Sequence, residues 1–192
     1  MRLKRAGVKL IMTEIAHPTA IRRTVSFCRA VWEQQAMVED IRARLAKDTA
    51  DALQIAQTGD IAVLVDAQAT CVQALLPDAV IDATLIKRNL NTCITDAPAV
   101  IALGPGFIAG VDCHAVIETM RGHDLGRVLL EGSAQPDTGV PGNIGGYTGE
   151  RILRAPCDGI WRTTLGIGTL VEKGDTVATV EREPVVTALS GV

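Results

Sequence analysis

Short aliphatic runs, each bounded by polar residues or by glycine and proline, dominate the first half of the chain. The runs occupy residues 8–15, 60–65, 78–81 and 99–103 and are rich in Val, Ile, Leu and Ala. Runs of this length and composition are typical of buried β-strands. Residues 71–76, between the second and third runs, have room for about one and a half turns of helix. Strand, helix and strand in succession predict that the second and third runs pair in parallel.

Three further segments carry helical signals. Residues 2–7 are typical of the last turn of a helix that glycine stops. Residues 19–31, which follow Pro18, and residues 38–45 carry apolar residues at helical spacing. We predict a helix over residues 19–31. Together with the aliphatic strands, these helices predict an α/β fold with a parallel sheet.

The pattern changes in the second half of the chain. Residues 111–118 and 126–131 are predicted to be short strands, and a stretch rich in glycine and proline follows at residues 132–149. The remainder alternates short strands with glycine turns. We therefore expect a domain change near Phe107.

A weak internal repeat marks the tail, where the motif APxDG at residues 155–159 is answered by AxSG at residues 188–191. This pattern resembles the barrel-sandwich fold of biotinyl and lipoyl domains, in which two similar halves close on each other. The turn between the halves, residues 181–184, lacks the lysine that such domains modify, and Lys173 lies in an ordinary turn, so we do not expect a carrier. The second half stops at Val192 before a closing strand. This predicts a truncated chain or a partner that supplies the missing edge, and it favours self-association.

The amino-acid composition limits the classes of function that the chain can have. The chain has 192 residues, 47% of them hydrophobic and 21% charged, which suffices for one large domain or two small ones. Aromatic residues make up only 3%, so the core must be aliphatic. The net charge of −3, with both signs mixed along the chain, argues against nucleic-acid binding. The longest apolar runs are far shorter than the roughly 20 residues of a membrane helix, so no membrane span is expected.

The five cysteines are odd in number, are spread along the chain and form no Cys-x-x-Cys pair. This favours reduced thiols over a disulfide framework or a structural zinc site. The N-terminus lacks the apolar block of a signal peptide. The expected location is therefore the cytoplasm.

Glu14 and four cations are candidates for nucleotide binding. Glu14 closes the first strand, where a dinucleotide-binding unit places an acidic residue on ribose hydroxyls. The phosphate-binding glycine loop would lie roughly 20 residues earlier, outside this chain; alternatively, Glu14 is only a polar strand terminus. The cations either form charge-assisted bonds to phosphates or are solvated surface residues, and they are Arg22, Arg23, Lys87 and Arg88.

A second cluster follows a predicted strand. Gly104 and Gly106 flank a proline at the strand end, which is where open α/β sheets place ligands. Alternation along the next extended segment would put Cys113 on one face and His114 with Glu118 on the other.

Two interpretations of Cys113 remain open. A thiol near Arg121 or a protonated His123 would have a depressed pKa and would act as a thiolate toward sulfur, selenium or a soft metal. The alternative is a buried, inert cysteine. Spacing alone favours this alternative, because free cysteine is among the most buried residue types.

A longer resemblance covers nearly the whole chain. Residues 87–159, which begin KRNLNTCITDAPAVIALGPGFIAGVDCHAVIETMRGHDLGRVLLEG, resemble the accessory proteins of selenium-dependent molybdenum hydroxylases almost without a gap. Residues 5–31 (RAGVKLIMTEIAHPTAIRRTVSFCRAV) and the motifs VDAQA and PDAVIDATLIKRN fit the same family. In that family a glycine-rich loop precedes the first helix, and this chain begins after it.

The resemblance implies a Rossmann-like domain at residues 1–106, a β-rich connecting region with the Cys-His motif at residues 107–149, and a barrel-sandwich-like tail at residues 150–192, truncated at both ends. It implies a factor that matures molybdenum hydroxylases by binding, loading or selenating their cofactor. The hydroxylase apoprotein would be the partner, and the molybdenum cofactor or NAD(P) the ligand. A Rossmann crevice suits the pyrophosphate of such a cofactor.

Resemblance and spacing together assign two sets of residues. The residues implied in chemistry are Cys113, His114, Glu118 and His123, with Cys113 as a chalcogen or metal ligand. The residues implied in cofactor binding are Glu14, Arg22, Arg23, Lys87, Arg88, Asn89, Gly104, Gly106 and Arg121.

Two other hypotheses stay open. In the first, the chain is an NAD(P)-dependent oxidoreductase in which Glu14 binds ribose and His114 is the acid or base. In the second, it is a non-catalytic scaffold that docks on the hydroxylase.

Overall fold

The computed structural model describes all residues, Met1–Val192, and divides them into two compact units, Met1–Pro136 and Asp137–Val192. The mixed α/β class predicted from the sequence is confirmed. The strands are β1 Ile11–Glu14, β2 Gln35–Val38, β3 Ile41–Ala46, β4 Ile61–Val65, β5 Ala79–Asp82, β6 Ala99–Leu103, β7 Ala115–Ile117, β8 Val128–Leu129, β9 Trp161–Arg162, β10 Thr176–Val180 and β11 Glu183–Val186. The α-helices are α1 Arg2–Arg5, α2 Ala30–Glu33, α3 Thr49–Gln57 and α4 Val72–Leu75, and 3-10 turns lie at Arg23–Val25, Phe27–Arg29 and Gly149–Arg151.

The first sheet has the order β1-β4-β3-β2, in which only β2 runs antiparallel to its neighbour. Asp48 caps α3, because its side chain accepts a hydrogen bond of 2.8 Å from the Asp51 backbone N–H. The helix buries Ala52 and Ile55 against one face of the sheet. Phe27, from a 3-10 turn, packs in the core cluster on Ile61 and Val63 of β4. Aliphatic residues make up most of the core, as the low aromatic content predicts, but both phenylalanines, Phe27 and Phe107, are also buried in it.

The second sheet has the order β5-β6-β7-β8, with three parallel strands and an antiparallel β8. Its core contains Val100, Phe107, Cys113 and Val116, all of them less than 3% exposed. The sheet spans the expected domain change at Phe107, because β6 precedes that residue and β7 follows it. The three-part domain division stays a prediction, and the contacts within the chain place the unit boundary after Pro136.

The second unit contains a three-stranded antiparallel sheet of order β11-β10-β9. Ala178, Val180 and Val185 form its buried cluster. Glu181, in the predicted turn of residues 181–184, has left-handed backbone (φ 51°) and joins β10 to β11. No helix in either unit has the length and the apolar character that crossing a membrane would require.

The aliphatic runs and the short helix before β5 are confirmed, but the structure contradicts two local predictions and one helical signal. The expected helix over residues 19–31 is replaced by two 3-10 turns and α2, because the extended backbone of Ser26 (φ −116°, ψ 135°) separates them. Residues 38–45 lie largely in the β2–β3 hairpin, since Ile41 and Ala43 are buried while Arg42 is exposed, which is strand periodicity. Finally, β4 does not pair with β5, because β1 and β3 already occupy both of its edges.

Candidate functional site

Three loops that carry most of the predicted site residues leave the same edge of the second sheet. Because β5, β6 and β7 are parallel, their last residues, Asp82, Leu103 and Ile117, all lie at the carboxyl edge. This is the edge where ligands bind in open α/β sheets. The predicted residues in these loops are Lys87, Arg88 and Asn89 after β5, Gly104 and Gly106 after β6, and Glu118, Arg121 and His123 after β7.

The loop after β5 packs against the loop after β6. The Asn89 backbone N–H donates to the Gly106 carbonyl at 3.1 Å. The Asn89 side chain is fully used within its own loop, where Oδ1 accepts from the Thr92 N–H (2.9 Å) and Nδ2 donates to the Thr92 carbonyl (2.8 Å). The side chains of Lys87 and Arg88 are exposed, and neither takes part in any salt bridge. The loop therefore presents two free cations on a fixed backbone.

At the two glycines of the β6 loop, the space that a side chain would fill is occupied by neighbouring protein atoms. A Cβ on Gly106 would lie 2.5 Å from the Arg88 backbone nitrogen, and a Cβ on Gly104 would lie 2.7 Å from Thr119 Oγ1. Both glycines have positive φ, +79° at Gly104 and +105° at Gly106. Their missing side chains thus allow neighbouring loops to approach, and any ligand contact at this edge falls to the cationic side chains.

Glu118 anchors the loop after β7. Its carboxylate is 3% exposed, with Oε1 accepting from the Met120 N–H at 2.7 Å and Oε2 from the Gln135 N–H at 2.8 Å. The Gln135 and Met120 N–H groups hold the pKa of this carboxyl below its ordinary value. The group is ionised at neutral pH and bound to backbone, so its geometry suits loop positioning better than proton donation.

Replacing Glu118 with alanine should lower the free energy of unfolding by about 2 to 3 kcal/mol at pH 7, because two N–H groups in partly buried hydrogen bonds lose a charged acceptor. The pKa is depressed in the folded state, so this stabilisation is complete above the unfolded pKa of about 4.3 and is lost as the pH falls through the folded value. Urea denaturation at pH 7 and near pH 3 measures this stabilisation. The free energies of unfolding of the unmodified protein and of Glu118→Ala should converge in acid. An undiminished difference near pH 3 would contradict this role of Glu118.

Arg121 and His123 lie in the exposed turn between β7 and β8. The turn is tied to the sheet by the Glu118 backbone, which accepts from Gly126 N–H and donates to the Arg127 carbonyl, both at 2.9 Å. Arg121 forms no salt bridge. It therefore adds a third free cation to the carboxyl edge.

Cys113 and His114 precede β7 and lie at the amino edge of the same sheet. His114 pairs with Val100 at the start of β6, donating its N–H to the Val100 carbonyl (2.8 Å) and accepting the Val100 N–H at Nδ1 (3.0 Å). Cys113 has no exposed surface, and burial, followed by the charge of Asp112, raises the pKa of its thiol. Cys113 is buried and His114 is exposed, whereas Glu118, which was expected on the face of His114, is buried. The thiol of Cys113 is neutral in this environment.

Glu14 is the last residue of β1 in the first sheet, and Arg22 and Arg23 follow this strand along the chain. Glu14 ends the strand, and its Oε1 accepts the N–H of the next residue at 2.9 Å. Arg22 and Arg23 are exposed and form no salt bridge. A hydrogen bond from Asn91 Nδ2 to the Gln68 carbonyl joins the loop after β5 to the loop after β4, the neighbour of β1. The carboxyl edges of the two sheets are therefore connected.

Sequence reasoning missed two polar residues of the β5 loop, Asp82 and Thr92, which hydrogen-bond to each other at 2.7 Å. The spacing Asp82-x-Thr84 is a turn signal that would have drawn attention to Asp82. It also missed Cys93, an exposed free thiol 3.2 Å from Thr95 Oγ1. No spacing rule distinguishes Cys93 from the other four cysteines.

Two other features bear on the site. No three His, Cys, Asp or Glu side chains lie close enough together to hold a metal ion. Two open depressions, of about 450 and 440 Å³, lie around Met37 and Arg42 on the first sheet. None of the predicted site residues lines either depression.

Comparison with known proteins gives one informative match. No protein-family model matches the chain, and no solved structure matches it. The chain is 48% identical over all 192 residues to the uncharacterized protein YqeB of Escherichia coli (strain K12). It spans 36% of the length of that protein, so it corresponds to about a third of this relative.

Proposed function

We propose that the chain is part of an accessory factor for the maturation of selenium-dependent molybdenum hydroxylases, and that it binds a phosphate-bearing cofactor at the carboxyl edge of β5, β6 and β7. The observation that carries this proposal is the pair Lys87 and Arg88, which are exposed, free of salt bridges and held on a loop that packs against Gly106. Arg121 stands on the loop of the neighbouring strand. Free cations on ordered loops suit phosphate groups, because charge-assisted bonds are the strong ones.

The cofactor is the molybdenum cofactor or NAD(P), and both carry phosphate. In this proposal the first sheet belongs to a Rossmann-like domain, in which Glu14 binds ribose hydroxyls and Arg22 and Arg23 add phosphate contacts. The second unit is a barrel-sandwich-like tail that docks on the hydroxylase apoprotein. The resemblance over residues 87–159 and in the motif PDAVIDATLIKRN supports the cofactor assignment, since together they cover all three loops of the carboxyl edge.

The step assigned to the chain is holding the cofactor. The carboxylate of Glu118 orders the loop that bears Arg121 and His123, and the loop after β5 orders Lys87 and Arg88. The oxidoreductase hypothesis relies on His114, whose Nδ1 accepts a backbone N–H at the opposite edge of the sheet, so no observation favours it. The scaffold hypothesis predicts that the chain binds no cofactor.

Isothermal titration of the chain with isolated molybdenum cofactor, NADPH and inorganic pyrophosphate tests the proposal. The double variant Lys87→Ala/Arg88→Ala should bind at least about tenfold more weakly than the unmodified chain, a loss of about 1.4 kcal/mol or more. The matched control is Lys173→Ala/Arg182→Ala, which removes the same charge from exposed positions of the second unit and should bind normally. Absence of binding by the unmodified chain, or equal losses in both variants, would reject the proposed site.

A further inference from the structure

The carboxylate of Asp82 connects both ends of the loop that carries Lys87 and Arg88. Asp82 is the last residue of β5. Its Oδ1 accepts from the Thr84 N–H (3.0 Å) and hydroxyl (2.8 Å), and its Oδ2 accepts from the Thr92 hydroxyl (2.7 Å). One side chain thus bridges the start of the loop and a point beyond both cations.

From Thr92 the network continues to the next strand. The backbone N–H and carbonyl of Thr92 both bond the Asn89 side chain, and the Asn89 backbone N–H donates to the Gly106 carbonyl at 3.1 Å. Asp82, Thr92, Asn89 and Gly106 therefore form one continuous path from β5 to the loop after β6.

The backbone of the loop between Thr84 and Thr92 adopts an uncommon conformation at two residues. Leu85 and Lys87 both have left-handed backbone, with φ of 56° and 66°. Residues other than glycine persist in this region only where surrounding contacts impose it, and such positions concentrate at ligand clamps. The hydrogen bonds of Asp82 and Asn89, together with the packing of the Lys87 and Arg88 backbone against Gly106, are contacts that impose it here.

We propose that Asp82 is the positioning residue of the phosphate-binding loop, and that it acts through hydrogen bonds rather than through its charge. This inference rests on the proposed function for the identity of the ligand. The negative charge of Asp82 opposes anion binding, so its presence at this edge is explained by the geometry that it imposes on Lys87 and Arg88. Asparagine at this position would retain Oδ1 as an acceptor and would donate to the Thr92 hydroxyl.

Titration with inorganic pyrophosphate separates the hydrogen-bonding role of Asp82 from an effect of its charge. Asp82→Ala and Thr92→Val should each weaken binding by about tenfold, since each cuts the connection between Asp82 and Thr92. Asp82→Asn should bind at least as tightly as the unmodified chain. Asp78→Ala, an exposed aspartate just before β5, removes the same charge at the amino edge and should change nothing. Binding by Asp82→Ala at the unmodified affinity, or equal losses in Asp82→Asn and Asp82→Ala, would overturn the proposal.

Amide hydrogen exchange gives a readout that needs no ligand. The N–H groups of Asn89 and Thr92 should lose protection in Asp82→Ala and keep it in Asp82→Asn. If the unmodified chain does not bind pyrophosphate but this exchange pattern is found, the proposed function fails and the positioning role of Asp82 stands. Unchanged protection in Asp82→Ala would overturn the positioning role itself.

Discussion

Alanine in place of Gly106 is expected to lower the free energy of unfolding by about 3 kcal/mol. The new Cβ would lie 2.5 Å from the Arg88 nitrogen and 2.6 Å from the Arg88 Cα and the Lys87 carbonyl carbon, all of them backbone atoms. The φ of +105° adds strain of about 1 to 3 kcal/mol for a residue with a side chain. Overpacking against atoms that cannot rotate away costs about as much again. Urea denaturation monitored by circular dichroism would measure the change, with an unaltered m-value.

Gly59 provides a matched control. Its φ is +97°, and a Cβ there would meet nothing within 4 Å, so Gly59→Ala carries the strain without the collision. We expect Gly59→Ala to lower the free energy of unfolding by about 1 to 2 kcal/mol. The excess at Gly106 then measures how closely the loops after β5 and β6 are packed. Equal destabilisation by the two substitutions would mean that the Arg88 backbone moves away easily, and that the loop is not fixed.

The aliphatic strands were predictable because β4 is buried on both faces and β6 is buried on one face and partly buried on the other, which leaves a continuous apolar signal. Residues 60–65 and 99–103 become β4 and β6 almost without adjustment. The β2–β3 hairpin was not recognised, because alternating Ala43 and Arg44 on a short strand also fits a helical spacing over a few residues. The pairing of β5 with β6 rather than β4 depends on which sheet edges are already occupied, and that information is not local.

The candidate site was partly predictable once the parallel strands were recognised. Loops that follow parallel strands must meet at one edge, which brings Lys87, Gly106 and Arg121 to the same side of the sheet. His114 and Glu118 are only four residues apart, yet a strand rises about 3.3 Å per residue and puts them at opposite edges. The role of Asp82 could not be predicted, because it depends on the loop bringing Thr92 back to the strand end.

The second large effect expected is a difference in thiol reactivity. Iodoacetamide at pH 7.5 should modify Cys93 at least about 100-fold faster than Cys113, because the thiolate is the reacting form and the buried thiol reacts only when the structure opens. Cys93 is exposed, and hydrogen bonding to Thr95 lowers the pKa of its thiol. Burial raises the pKa of Cys113 and, together with Asp66, raises that of Cys71 to about 11.

Peptide mapping by mass spectrometry over a time course would assign each rate. Thr95→Val should slow the modification of Cys93, since it removes the hydroxyl 3.2 Å from the thiol, while Cys157, which is also exposed, serves as the internal reference. Modification of Cys113 at the rate of Cys93 would contradict its burial. If Cys113 is protected, any role for it as a chalcogen or metal ligand requires β6 and β7 to open, because its side chain lies inside the core that both strands share.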